Sequence, residues 1–178
     1  MAHLKLKKVM PLITLLYFAF LLCACGNSIT NAESKSIEDY PVGVQDGTVS
    51  AEFYDRLKNY STSDNQYQDE IGEMLNSIDE NPKLIYSSEF VQKFSEDISK
   101  YNDFLIESNF IGTTDAEKEF SLILADITEN QLAINTSLEK YITSKNILHF
   151  IPMAVRFNSV ETKSEEFVKA LKNYNIYE

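Results

Sequence analysis

Cysteine is scarce in this sequence, because the chain of 178 residues has only Cys23 and Cys25. Both lie near the N-terminus, so no disulfide framework and no cysteine-based metal site can hold the rest of the chain together. Tryptophan is absent, and glycine (five) and proline (four) are few. Pairs of turn residues typical of hairpins are missing too, which disfavours an all-β fold. A folded domain in this chain must therefore depend on its apolar core.

Basic residues are also scarce, and arginine occurs only at Arg56 and Arg156. The chain has 16 Lys and Arg against 27 Asp and Glu, which gives a net charge of −11. Proteins that bind nucleic acids need clustered cations to displace the counterions of the phosphates. The charge therefore excludes a nucleic-acid partner. It also disfavours a domain that lies flat on an anionic membrane leaflet.

The N-terminus carries a basic segment followed by an apolar one. Residues 1–8 contain three lysines and no acid, residues 9–22 are mostly apolar, and Cys23-Ala24-Cys25-Gly26 follows. This order is typical of a secretory signal peptide. The apolar run is shorter than the roughly 20 residues that a transmembrane helix needs. We therefore expect residues 1–24 to be a removable leader.

The end of this leader resembles the lipobox of bacterial lipoproteins. Leu22, Ala24 and Cys25 match the family pattern, and Cys23 occupies a position that usually holds a small residue. The resemblance is confined to residues 1–26. It implies cleavage between Ala24 and Cys25 and a diacylglyceryl group on the Cys25 thiol. That covalent lipid is the only cofactor we expect, and it would hold the protein on the extracytoplasmic face of the cell membrane.

Residues 25–47 are rich in Ser, Asn, Gly and acids and lack apolar periodicity, which predicts a flexible tether. Alternatively, the part around Tyr40-Pro41-Val42 packs on the following domain. Residues 48–178 have helical apolar spacing and are expected to form that domain.

Four patterns divide the domain into helices. The first apolar stripe runs to Asn81-Pro82 with one gap at Asp64, so it predicts either one long helix or two. Serines at 87–88 and a capping box at Thr114–Glu117 predict the starts of the next two helices. A second capping box, Thr162–Glu165, predicts the start of a closing helix. We therefore predict an all-α fold, an up-and-down bundle of three to four long helices.

Residues with obvious chemistry are few. His149 is the single histidine outside the leader, and its apolar neighbours favour a core or interface position over a general base. No nucleophile motif, phosphate-binding glycine loop or calcium loop is present. We therefore expect neither a metal site nor an enzyme.

The segment from Ile147 to Val155 is the most apolar part of the domain. It is interpreted as a buried crossover in the core or, alternatively, as an exposed patch for a partner. Its candidate contact residues are Ile147, Leu148, His149, Phe150, Ile151, Met153 and Val155.

The leading functional hypothesis is a non-enzymatic lipoprotein whose helical domain binds or shields something at the cell envelope. The expected partners are the membrane, through the lipid, and an unidentified envelope or extracellular protein. A protective role of the immunity or exclusion type is one version of this hypothesis. The alternative is a solute-binding bundle that holds a small apolar or cationic ligand. Its cavity would be lined by Phe90, Phe94, Phe120 and Ile127.

Overall fold

A computed structural model describes residues 36–176 of the chain. All regular structure in this part is helical and it contains no strand, so the predicted all-α class is confirmed. The α-helices are α1 (Val42–Gln45), α2 (Ala51–Glu80), α3 (Ser88–Glu107), α4 (Asp115–Ser144) and α5 (Phe150–Asn173). Short 3-10 segments lie at Ile37–Asp39, Pro82–Tyr86 and Ile147–His149.

Helix α2 is continuous across the gap in its apolar stripe, so the structure has one long helix there and the alternative of two helices is wrong. The gap is filled by Asp64, which is itself buried on the same face as the stripe. Its carboxylate accepts a hydrogen bond of 2.6 Å from the Tyr101 hydroxyl of α3. A polar residue with a partner can thus occupy a core position without breaking the helix.

The predicted helix starts at residues 87–88 and at Thr114 are confirmed by their caps. The Ser87 hydroxyl accepts from the Phe90 amide, and the Thr114 hydroxyl accepts from the amide of Glu117. Each bond satisfies one of the amides that a helix leaves free in its first turn.

Helix α5 begins earlier than the second capping box predicted. It starts at Phe150, which places Pro152 in the first turn, where its missing amide hydrogen has little cost. Thr162 lies in the middle of the helix, and its hydroxyl donates instead to the Asn158 carbonyl one turn earlier. The capping-box prediction at Thr162–Glu165 is therefore wrong, because a threonine can satisfy its hydroxyl inside a helix as well as at its start.

Helices α2 and α3 run in opposite directions, and so do α4 and α5. Arg56 near the start of α2 donates to the Asn109 carbonyl just beyond the end of α3. Between α4 and α5, Tyr141 lies 4.3 Å from Phe150, measured between ring centroids, whereas Phe120 lies 5.5 Å from Phe167. The end of one helix thus meets the start of the next.

Both termini of the described region lie at one end of the helices, which we call the tether end. The Gly43 amide donates to the Asn175 carbonyl, and the Thr114 hydroxyl donates to the Thr48 carbonyl. A side chain at Gly43 would meet the Tyr174 carbonyl at 1.9 Å, so only glycine permits this approach. The opposite end, which we call the far end, holds the α2–α3 and α4–α5 connections. A helix of 30 residues such as α4 separates the two ends by about 45 Å.

Residues 36–47, predicted within the tether, pack against the helices at the tether end. Val44 is buried, and the Tyr40 hydroxyl donates to the Asp55 carboxylate of α2 over 2.8 Å. The rest of the predicted tether, residues 25–35, lies outside the described residues, as does the leader of residues 1–24.

Candidate functional site

A cluster of exposed apolar side chains lies at the far end. It consists of Ile147, Leu148, Ile151 and Val155, and we call it the tip surface. Each of these side chains is 50–66% exposed. Tyr86 is 73% exposed and lies near Tyr141, so it adjoins the tip surface from the α2–α3 connection. The segment interpreted as a buried crossover therefore presents much of its apolar area to solvent.

The other candidate residues of this segment face the protein. Met153 is buried at 1% exposure, and Phe150 is half-buried against the Tyr141 ring. His149 is half-buried as the last residue of a 3-10 segment. The division follows helical geometry, because Ile151 and Val155, four residues apart, share the face opposite Met153. The structure thus brings only part of the predicted set together on the surface.

The charge around the tip surface differs from that of the whole chain. Residues 140–160 contain three basic residues and no acid, although the chain has 27 acids. Lys140 and Lys145 are both exposed. The far end also holds acids, which are Asp79, Glu80 and Glu89 around the α2–α3 connection and Glu139 beside Lys140 near the end of α4. The far end is therefore apolar, with acidic and basic residues close together.

The tether end is strongly acidic, although it too exposes apolar side chains at Ile37, Val42 and Ile111. Residues 36–56 and 103–119 together hold ten acids and two basic residues. Most of these acids are exposed. The domain is thus most acidic where the chain enters it, whereas acidic and basic residues are nearly balanced at the far end.

A buried polar layer crosses the middle of the helices and was not predicted from the sequence. Burial raises the pKa of Asp64 to about 6, although hydrogen bonds from Tyr101 and Gln68 oppose the shift. On the other side of α3, Asn135 accepts from Gln131 and donates to Asn102. The gap in the α2 stripe was the one sequence signal of this layer. It links α2, α3 and α4 through side-chain hydrogen bonds.

A second buried carboxylate fastens the tether end. Glu117 is 1% exposed, and its two oxygens accept five hydrogen bonds from the amides and hydroxyls of Ser50 and Thr113 and from the Thr114 amide. Burial alone would raise the pKa of Glu117, but these hydrogen bonds outweigh it and lower the pKa to about 2. The capping box was visible in the sequence, whereas the contact with Ser50 was not. This carboxylate has a structural role, since all its acceptor positions are occupied.

The side chains proposed to line a solute cavity do not share one space. Phe90 and Phe94 lie on the first turns of α3 at the far end, whereas Phe120 lies near the start of α4 at the tether end. Phe94, Phe120 and Ile127 are packed within the core. A shallow depression of about 390 Å³ occurs elsewhere, between α4 and α5, with Leu122 and Lys169 among its lining residues.

The remaining sequence expectations concern lipid, membrane and metal. Ala24 and Cys25, the expected cleavage and lipidation residues, lie outside the described residues. Within residues 36–176, no helix is both long and apolar enough to cross a bilayer. The same residues hold no group of three or more His, Cys, Asp or Glu side chains placed to bind a metal ion.

Comparison with known proteins finds no matching family model, no similar curated protein and no similar solved structure.

Proposed function

We propose that this protein is a bacterial lipoprotein whose helical domain is a non-enzymatic interaction module at the cell envelope. The four long helices form an up-and-down bundle, and the lipid on Cys25 anchors it at the extracytoplasmic face of the membrane. The observation that carries the proposal is the position of the tip surface. Four of the exposed large apolar side chains lie within nine residues, Ile147 to Val155, at the end of the domain that is farthest from where the anchored chain enters it.

The length of the connecting chain supports this orientation. Ten residues lie between Cys25 and Ser36, and the eleven Cα–Cα steps between these two residues reach at most about 40 Å when fully extended. The tip surface lies about 45 Å beyond the tether end. An upright domain therefore holds the tip surface away from the membrane of its own anchor. The acidic tether end favours this upright orientation, since an anionic leaflet repels the acids.

The exposure of the tip surface also distinguishes it from core residues. A monomeric soluble domain has little reason to keep Ile147, Leu148, Ile151 and Val155 together in water, and contiguous apolar surface of this kind marks contact sites. Solute capture has no comparable support, because the proposed lining residues are divided between the two ends.

The anchor is tested by comparing two serine variants of the full chain expressed in a bacterium. Cys25→Ser should remain unlipidated and at precursor mass, with residues 1–24 still attached. The matched variant Cys23→Ser should be lipidated and cleaved normally, because Cys23 occupies a lipobox position that usually holds a small residue. Mass spectrometry of the N-terminal peptide and membrane fractionation give the result. A native protein that begins at Met1 with a free Cys25 thiol would contradict the proposal.

A further inference from the structure

Asp64 is a buried acid whose hydrogen-bond partners are both neutral. It lies in the middle of α2, and only 3% of it is exposed. One carboxylate oxygen accepts from the Tyr101 hydroxyl of α3 over 2.6 Å, and the other accepts from the Gln68 amide over 2.8 Å. An ionised carboxylate can accept about four hydrogen bonds, so two neutral donors replace only part of the hydration that the charge has in water.

The groups that face Asp64 do not supply a positive charge. On α2 itself, the buried Tyr60 lies one turn earlier and interacts electrostatically with the Asp64 carboxylate. From α4, the Thr128 hydroxyl reaches this Tyr60 side chain. Within residues 36–176, no basic side chain of any helix forms an ion pair with Asp64.

The nearest charges on α3 are already paired with one another. Asp97 lies one turn before Tyr101, and its carboxylate contacts Lys93 at 2.8 Å and Lys100 at 2.9 Å. These two cations therefore neutralise Asp97 and not Asp64.

Protonation satisfies the same site without leaving a buried charge. A neutral Asp64 carboxyl keeps a carbonyl oxygen as the acceptor for Tyr101 and gains an O–H donor on its other oxygen. The Gln68 amide has an acceptor oxygen beside its NH2 group, so a half-turn of this amide presents an acceptor to the new donor. Both hydrogen bonds can thus be kept in the neutral form.

Relief of the ionised form requires the movement of one helix contact. Among the described residues, the bond to Tyr101 is the hydrogen bond of Asp64 that crosses between helices, because Gln68 lies on α2 as well. Water can therefore reach the carboxylate when α2 moves away from α3, while α4 and α5 stay packed on each other.

The pH range of this effect follows from the burial. Burial raises the pKa of Asp64 to about 6 from an ordinary value of 3.8, although its two hydrogen bonds oppose the shift. Because the folded pKa lies above the unfolded one, the stability that the neutral acid provides is fully present below about pH 4 and is lost as the pH rises through 6. Glu117 acts in the opposite direction, and its contribution changes only below about pH 5.

We infer that Asp64 is a proton-binding switch that holds α2 on α3 when its carboxyl is neutral and loosens this contact when it ionises. The switch goes beyond the proposed role at the cell envelope and does not depend on the lipid anchor. At the proposed extracytoplasmic location, the pH of the surroundings would set how firmly α2 is held.

Hydrogen exchange of the full chain in a nonionic detergent, followed by mass spectrometry, tests the switch. Exchange is compared at pH 5 and pH 7 after correction for the intrinsic effect of pH on amide exchange. Peptides from the middle of α2 and α3 should be about tenfold less protected at pH 7 than at pH 5. They should also be less protected than the middle of α4 and α5, since local opening costs less than global unfolding.

Substitutions assign the pH dependence to one proton. Asp64→Asn reproduces the neutral acid, with an oxygen for Tyr101 and an NH2 group for the Gln68 oxygen, so its protection should not change between pH 5 and 7. Asp69→Asn is the matched control at an exposed acid of α2, and His149→Gln controls for the described histidine. Both should keep the pH dependence of the native protein.

The proton itself is followed by carbon-13 NMR of the Asp64 carboxyl, which is assigned by its absence in Asp64→Asn. Its midpoint should lie near pH 6 and should rise in Tyr101→Phe, because the Tyr101 hydrogen bond lowers the pKa of the acid. Circular dichroism establishes that each variant is folded.

Four results would overturn the inference. They are equal protection of α2 and α3 at pH 5 and 7, a pH dependence that persists in Asp64→Asn, and an Asp64 midpoint below pH 5. The fourth is protection of α2 and α3 at pH 7 as high as that of α4 and α5, which would mean that α2 does not open separately.

Discussion

Replacing Glu117 by glutamine would break the most densely bonded carboxylate of the described residues. Its oxygens accept from Ser50 at 2.8 and 2.6 Å, from Thr113 at 2.7 and 2.6 Å and from the Thr114 amide at 3.1 Å. Glutamine keeps one carbonyl oxygen and places an amide group where the other oxygen was. That amide would face the N–H and O–H donors that now bond to the carboxylate oxygen, so at least two hydrogen bonds are lost. The negative charge is lost as well.

The size of the effect follows from the pKa. A fall from 4.5 to about 2 on folding means that the ionised Glu117 contributes about 3 kcal/mol to the free energy of unfolding near neutral pH. Solvent screening does not reduce this value much, since the residue is 1% exposed. We therefore expect Glu117→Gln to lower the free energy of unfolding at pH 7 by about 3 kcal/mol.

The same pKa fixes the pH dependence. Because the folded pKa lies below the unfolded one, the unfolded state binds more protons in the acid range. The contribution of Glu117 is fully present above about pH 5 and is lost as the pH falls towards 2, with about 2 kcal/mol of it gone by pH 3. The gap in stability between the native protein and Glu117→Gln should therefore narrow on acidification.

Urea unfolding followed by circular dichroism at pH 7 and at several lower pH values would measure this gap. Asp115→Asn is the matched control, because it removes one negative charge from the same helical turn at a fully exposed side chain. Its effect should be well below that of Glu117→Gln and comparable to a helix-dipole term of about 0.3–1 kcal/mol. A Glu117→Gln variant as stable as Asp115→Asn, or one whose deficit persists unchanged at pH 3, would refute the reasoning.

Three more predictions concern other parts of the molecule. Asp64→Asn should be more stable than the native protein by up to about 3 kcal/mol at pH 8. The reason is that the pKa of Asp64 is about 6 in the folded protein and 3.8 in the unfolded one, so the native protein loses stability as the pH rises from about 4 to 6 and Asp64 ionises in the core. Urea melts at pH 4 should show no such advantage, and an advantage independent of pH would contradict this account. Gly112→Ala should destabilise the tether end, since its Cβ would meet the Glu117 backbone at 2.2 Å, and a melting temperature equal to that of the native protein would exclude this clash. Met153→Ala should lower the free energy of unfolding by about 2–5 kcal/mol, whereas Ile151→Ala on the opposite face should change it by no more than about 0.5 kcal/mol. Similar losses in the two variants would show that the tip surface is part of the core.

The helical class and most helix starts could be predicted because their causes are local. A serine or threonine beside the first free amides suffices to start α3 and α4, whatever packs against them later. The error at Thr162 has a local cause too. The same hydroxyl can cap a helix or bond to the carbonyl one turn earlier. In this protein it bonds to the earlier carbonyl, because Phe157 and Phe167 pack on one continuous helix that runs through Thr162.

The candidate site depended on information that the sequence does not contain. The apolar run from Ile147 to Val155 was visible, but its division into an exposed and a buried face depends on where α5 begins and on which side Tyr141 packs. For Asp64, the stripe showed a gap without showing whether the residue faced water or the Tyr101 hydroxyl.

Short segments of chain suffice to predict the helical fold class, the scarcity of chemically reactive residues and the resemblance of residues 1–26 to a lipoprotein leader. Which charged groups lie inside and which apolar side chains stay outside depends on how the helices pack together. Glu117 is buried because Ser50 and Thr113 approach from distant parts of the chain, and Ile151 is exposed because no described helix covers its side of α5. Burial is a property of the neighbours that folding brings together, and a linear pattern does not specify those neighbours.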